Sequence, residues 1–126
     1  LLCGWIHPES FSMAKEVTPK EIVIYETEDG RAPYSEWFDG LTDRRTRNRI
    51  RTRINRVELG NLGVCRSVGE GVVELIEDFG PGYRIYCGQE GDTVVVLLTG
   101  GEKGSQEGDI DQAKKYWKDY RRRGDA

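Results

Sequence analysis

Arg84 and Tyr86 stand two residues apart in Tyr83-Arg84-Ile85-Tyr86-Cys87, a run that alternates as a β-strand does. Alternation puts the guanidinium and the phenol on one face and Tyr83, Ile85 and Cys87 on the other. Glu74 belongs to the preceding strand-like run, Val72 to Asp78, on a face shared with Val72, Ile76 and Asp78. Lys103 and Gln106 sit in a glycine-rich loop, Gly100 to Gly108. Cations and a phenol without a metal-ligand cluster suit phosphodiester chemistry on RNA. The 2′-hydroxyl is itself the nucleophile, so a protein need only orient it, stabilise charge on the phosphate and assist proton transfer. Arginine forks match phosphate oxygens, and aromatic rings match unstacked bases.

The charge distribution supports a local polyanion surface. The whole chain of 126 residues carries a formal net charge of −3 with 33% charged residues, so its overall balance does not favour nucleic acid. Between Arg44 and Arg56, however, there are seven arginines (44, 45, 47, 49, 51, 53 and 56) and no acid. On a helix such cations repel one another at i, i+4 spacing. Arg45, Arg49, Arg53 and Arg56 are therefore candidate anchors for an RNA backbone, and an acidic protein partner would satisfy the same face. Each candidate has a plainer reading. Arg84 can pair with Glu74 across the hairpin, Tyr83 and Tyr86 can be half-buried sheet residues instead of stacking platforms, and Lys103 and Gln106 can be ordinary loop residues. Trp37, Phe38 and Trp117 read as core.

Other chemistries lack their motifs. The chain has no P-loop, dinucleotide fingerprint, HExxH, CxxC or nucleophile-elbow serine. Cys3, Cys65 and Cys87 fit no metal spacing and read as small buried or free thiols of a reducing cytoplasm. His7 is the only histidine. No cofactor and no metal are expected, and no apolar run is long enough to span a membrane.

The elements that must position these groups form a single domain over residues 13–126. Leu1 to Ser12 reads as a non-native or disordered extension ahead of Met13. Lys20 to Glu26 alternates as a strand. Tyr34, Trp37, Phe38 and Leu41 recur at helical spacing after Pro33. Thr42 is the expected N-cap of a second helix running to Leu59, with Ile50, Ile54 and Val57 as its apolar stripe and Gly60 as its stop. A short strand fits Val64 to Val68. The hairpin from Val72 to Cys87 turns at Gly80-Pro81-Gly82. Thr93 to Thr99 is apolar on both faces, as a covered central strand would be. A last helix from Asp109 to Arg122 buries Ile110, Ala113, Trp117 and Tyr120. The expected fold class is α+β: a small antiparallel sheet packed against an N-terminal helical hairpin, with a C-terminal helix, in the order β-α-α-β-β-β-α.

Several of these runs occur together in a known group. ELIEDFGPGYRIYC followed by DTVVVLLTGGEKGSQEGDIDQAKKYW, with YSEWFDGL ahead of an arginine-rich helix, resembles the RelE/ParE superfamily of toxins, and most closely its HigB-like group of addiction-module killer proteins. The resemblance covers Ile22 to Tyr120. It implies a RelE-like fold and a toxin of a type II toxin–antitoxin pair in the cytoplasm. It further implies a ribosome-dependent, metal-independent mRNA endonuclease whose partners are the ribosome, mRNA and a cognate helix-turn-helix antitoxin. By the same resemblance Arg84 matches the strand arginine that stabilises the scissile phosphate. Lys103 stands near the second loop cation, Tyr86 stacks or positions, and Tyr83 and Gln106 join the RNA-binding set. The chain departs from the pattern at Glu74-Leu75-Ile76, where relatives commonly carry a cation in the third place. A gyrase-directed ParE-like inhibitor and a non-catalytic protein that binds an antitoxin or RNA are the alternatives.

Overall fold

The computed structural model describes residues 18–124. Strand β1 spans Glu21–Ile24, helix α1 Pro33–Asp39, helix α2 Arg44–Glu58, β2 Cys65–Gly69, β3 Val72–Glu77, β4 Tyr83–Glu90 and β5 Val94–Glu102. A single 3-10 turn, Lys103–Ser105, leads directly into helix α3, Gln106–Gly124. The proposed extension at 1–12, with Cys3 and His7, lies outside the described residues.

The five strands form one sheet in the order β1-β5-β4-β3-β2. Four of them are antiparallel neighbours, but β1 runs parallel to β5, with Ile22 opposite Val95 and Ile24 opposite Leu97. The α+β class holds, the all-antiparallel sheet is corrected to a mixed one, and the expected order gains a strand, since four strands and not three follow the helical pair. Alternation fixes which side chains share a face and carries no information on strand direction, so this pairing could not be read from the pattern.

Both sheet faces are covered, which explains why β5 is apolar on both. Helices α1 and α2 lie on one face, where Ile50 and Val57 pack with Val73, Leu75, Ile85, Val95 and Leu97. Helix α3 covers part of the other, where Ala113 and Trp117 meet Val72, Tyr86, Val96 and Leu98. Each fully buried Leu or Ile contributes about 1.5–3 kcal/mol relative to exposure. Glycines let the indoles approach the strands. A Cβ at Gly88 would lie 2.3 Å from the Trp117 ring, and one at Gly100 the same distance from the Trp37 ring.

Local signals place the helix ends. Asp43, not Thr42, caps α2: its Oδ2 accepts from the Thr46 backbone N–H at 2.9 Å. Gly60 then takes a φ of 102°, as expected of a residue that ends a helix. Helix α3 begins three residues earlier than its apolar stripe indicated, so Gln106 is helical. Among the cysteines, Cys87 is a buried free thiol whose pKa burial pushes up to about 12. Cys65, by contrast, is not free, which corrects the expectation of reduced thiols there.

Candidate functional site

On its α3 side the sheet carries two cross-strand rows. The first runs Arg66 (β2), Glu74 (β3), Tyr86 (β4) and Thr99 (β5). The second runs from Val64, whose carbonyl accepts from the Ile76 N–H at 3.0 Å, through Ile76 and Arg84 to Gly101. Directly opposed residues in an antiparallel pair share a face, so these side chains are neighbours. Helix α3 covers Tyr86 and the positions beyond it, while Val64 remains 66% exposed and Ile76 is half-buried. The open end of this face is the candidate site.

Glu74 organises the first row. Its carboxylate is fully buried, and Oε1 accepts from Arg66 Nε at 2.7 Å. Oε2 accepts from the Tyr86 hydroxyl at 3.0 Å and from Gln106 Nε2 at 2.8 Å. Burial alone would raise the pKa of Glu74, but the hydrogen bonds from Gln106, Arg66 and Tyr86 prevail and leave it lowered. Tyr86 is affected in the opposite sense. Burial first, and then the Glu74 carboxylate, push its phenol above the ordinary range. A buried phenol that already donates to a carboxylate is no proton acceptor, and it offers no ring face to a base. Of the two expectations for Tyr86, stacking or positioning, its burial leaves no ring face for stacking.

Arg84 lies in the second row. It does not pair with Glu74. Nη1 donates to the Tyr83 carbonyl at 3.0 Å and reaches Asp78 Oδ1 at 3.4 Å, while the buried Nε has no acceptor. Only 5% of Arg84 is exposed, so its charge lies beneath the surface of the site. Lys103 is fixed beside it through the backbone, since the Lys103 N–H donates to the Gly82 carbonyl at 2.9 Å. Gly82 takes a φ of 86°, and a Cβ there would lie 3.2 Å from Lys103 Cβ and 3.7 Å from Arg84 Nη1. The turn thus needs glycine for its backbone, and the space a side chain would fill there is bordered by both Lys103 and Arg84. The Gly80-Pro81-Gly82 cluster is what brings residues 84 and 103 together.

The fold separates two other candidates from this face. Tyr83 points to the opposite side, 8% exposed, in ring contact with Phe79 at 5.2 Å and Trp37 at 6.5 Å. It is a core residue and not a base platform. Arg53 is 5% exposed and turned inward. Nη1 donates to the Ile76 carbonyl at 2.9 Å and to Glu77, and Nη2 donates to the Leu62 and Val64 carbonyls at 2.7 and 2.6 Å. It ties the α2–β2 loop to β3 and is removed from the polyanion surface. Its spacing was the available signal: Thr46, Ile50, Arg53 and Val57 recur at steps of four, three and four, and all four are buried. Arg45, Arg49 and Arg56 are exposed as expected. The Arg49 guanidinium lies 4.1 Å above the Phe79 ring, which links the basic helix to the β3–β4 turn.

Sequence reasoning missed Arg66. It stands beside Glu74 on the adjacent strand with 55% of its side chain exposed. It thereby returns a cation to the face where Ile76 is apolar. The signal lay in the short Val64 to Val68 strand, whose alternation makes 64, 66 and 68 one face. A separate groove of about 660 Å³ lies between α1 and the 3-10 turn, lined by Glu36, Trp37, Glu102 and Asp109 among others. It contains none of the candidate cations, and its carboxylates disfavour phosphate. Among the described residues no group of three His, Cys, Asp or Glu side chains is placed to hold a metal ion, and no helix is long and apolar enough to cross a membrane.

The chain belongs to the same family as an uncharacterized protein of Haemophilus influenzae. The two are 41% identical over 81 residues, spanning 64% of this chain and 82% of that protein. No family model matches the chain.

Proposed function

We propose that this protein is a RelE-like toxin of the HigB-like group, the toxic partner of a type II toxin–antitoxin pair, acting as a ribosome-dependent, metal-independent mRNA endonuclease. The observation that carries the reading is that Arg84 Nη1 and the Lys103 side chain both border the place a Gly82 side chain would take, at the end of a sheet face that also bears Arg66. In this reading the RNA lies along the second row, over Val64 and Ile76. Arg66, which is exposed, meets the scissile phosphate, and the charge of the buried Arg84 helps to stabilise it as the 2′-oxygen attacks. The P–O5′ bond breaks, Lys103 delivers a proton to the departing 5′-oxygen, and the 2′ proton passes to water. The products are a 2′,3′-cyclic phosphate and a 5′-hydroxyl. Glu74, saturated by three donors, holds Tyr86, Gln106 and Arg66 in place and takes no proton. The exposed arginines of α2 meet the ribosomal RNA backbone. A cognate helix-turn-helix antitoxin restrains the toxin in the cytoplasm.

A second reading, a non-catalytic member that binds RNA or an antitoxin, is favoured by one observation: Glu74, the buried carboxylate of this face, is saturated by Arg66, Tyr86 and Gln106 and is not available as a general base. Induced expression with primer extension on a reporter mRNA separates the two. New mRNA 5′ ends that appear with growth arrest and vanish in Lys103→Ala support the nuclease. Arrest with DNA damage and intact mRNA indicates a gyrase-directed inhibitor. Absence of arrest removes the toxin reading.

A further inference from the structure

At the end of the sheet remote from Lys103, the β2–β3 turn faces the C-terminal half of α3 across a cleft of about 460 Å³. One wall carries Lys114, Lys118, Arg121 and Arg122, and the other carries Glu70. These cations are sparsely compensated. Lys114 approaches Glu70 only to 3.8 Å, Lys118 makes no ion pair among the described residues, and Arg121 rests 5.9 Å over the Trp117 ring. Arg122 is held more firmly, by Asp119 at 2.6 Å and Glu28 at 3.8 Å. Trp117 lines the same cleft. It is 4% exposed, yet its indole Nε1 has no acceptor and faces the turn at Gly71. A cationic wall with so few acids beside it calls for a ligand with acceptor oxygens and negative charge.

We infer that this cleft docks an acidic polypeptide segment, whose carboxylates displace Glu70 from Lys114 and pair with Lys114 and Lys118. Three observations favour carboxylates over nucleic acid. Glu70 already shows that a carboxylate enters the cleft, and it does so from a strained backbone with φ of 55°. The ring of Trp117 is buried and offers no stacking face, which single-stranded nucleic acid requires. Lys114, Lys118 and Arg122 recur at i, i+4 and i+8, a rise of about 6 Å per step that matches acids on successive turns of a partner helix. The site is separate from the candidate catalytic face, so it does not depend on the nuclease reading.

The test is fluorescence anisotropy of the full chain with a labelled helical peptide carrying Glu at i, i+4 and i+8, and in parallel with a labelled oligouridylate. Lys118→Glu, at an exposed position that preserves the fold, weakens the peptide about tenfold or more, whereas Arg31→Glu, exposed ahead of α1, changes it less than about twofold. Glu70→Gln removes the internal competitor and tightens the peptide about two- to fivefold. Unsaturable peptide binding, equal losses in Lys118→Glu and Arg31→Glu, or no gain in Glu70→Gln overturns the proposal. So does oligouridylate binding that Lys118→Glu abolishes while peptide binding persists.

Discussion

Glu74 shows how a residue can be indispensable to a site without acting in it. A fully buried carboxylate is tolerated because Arg66, Tyr86 and Gln106 all donate to it. Glu74→Ala strands the buried Tyr86 hydroxyl, so a destabilisation of about 2–3 kcal/mol is expected in urea unfolding. Gln106 and Arg66 would lose their anchor in the same variant. The acid limb of stability follows from carboxylates whose folded pKa lies below the ordinary value. Hydrogen bonding from Tyr25 leads the causes that lower Asp119 to about 2, with Arg122 and Arg123 adding to it. A depressed carboxylate contributes stability that is complete above its unfolded pKa of about 4 and is lost as pH falls through its folded value. Thermal melts should therefore lose midpoint steadily between about pH 4 and pH 2, and Asp119→Asn should flatten that slope. A variant melting curve parallel to the wild type across this window would refute the assignment.

At the scale of elements, α2 divides its arginines between two tasks. Arg53 joins the α2–β2 loop to β3 with four hydrogen bonds, whereas Arg45 and Arg56 stay in water. Arg53→Ala is expected to cost about 3–5 kcal/mol by removing one partner of a buried ion pair, while Arg45→Ala stays within about 0.5 kcal/mol. Affinity for ribosomal RNA fragments should show the reverse order among folded variants, with Arg45→Glu and Arg49→Glu weakened and less salt-dependent. Helix α2 also marks the limit of what was legible. Ile50 and Val57 were identifiable as buried, but an arginine on the same stripe reads as surface until the loop carbonyls that receive it are in place. Strand β4 gave the opposite lesson. Its alternation already put Tyr83 with Ile85 and Cys87, away from Arg84, so its exclusion from the site was readable. Tyr86 lay on the correct face, but its burial depends on how far α3 extends over the sheet, which no local pattern specifies. The parallel β1–β5 pairing was hidden for a related reason, because it joins segments about seventy residues apart with no turn between them to fix direction.

For the molecule as a whole, the sheet has an open end and a closed end. Helix α3 closes the half around Gly88, where a Cβ would enter the Trp117 ring. The other half stays open and gathers Arg66, Arg84 and Lys103 from β2, β4 and the 3-10 turn. Adding a side chain at Gly88 tests that division of labour, since Gly88→Ala must displace Trp117 and is expected to cost about 1–3 kcal/mol without altering the cations at the open end.

The most direct test of the central claim uses purified protein, ribosomes programmed with a defined mRNA, and primer extension. Cleavage should need the ribosome, persist in excess chelator and leave a 5′-hydroxyl. Lys103→Ala, a change at an exposed residue outside the core, should slow it about 10²- to 10⁴-fold, as expected for loss of a general acid. Cleavage by Lys103→Ala at the wild-type rate, or intact mRNA with a folded wild-type protein on programmed ribosomes, would contradict the account.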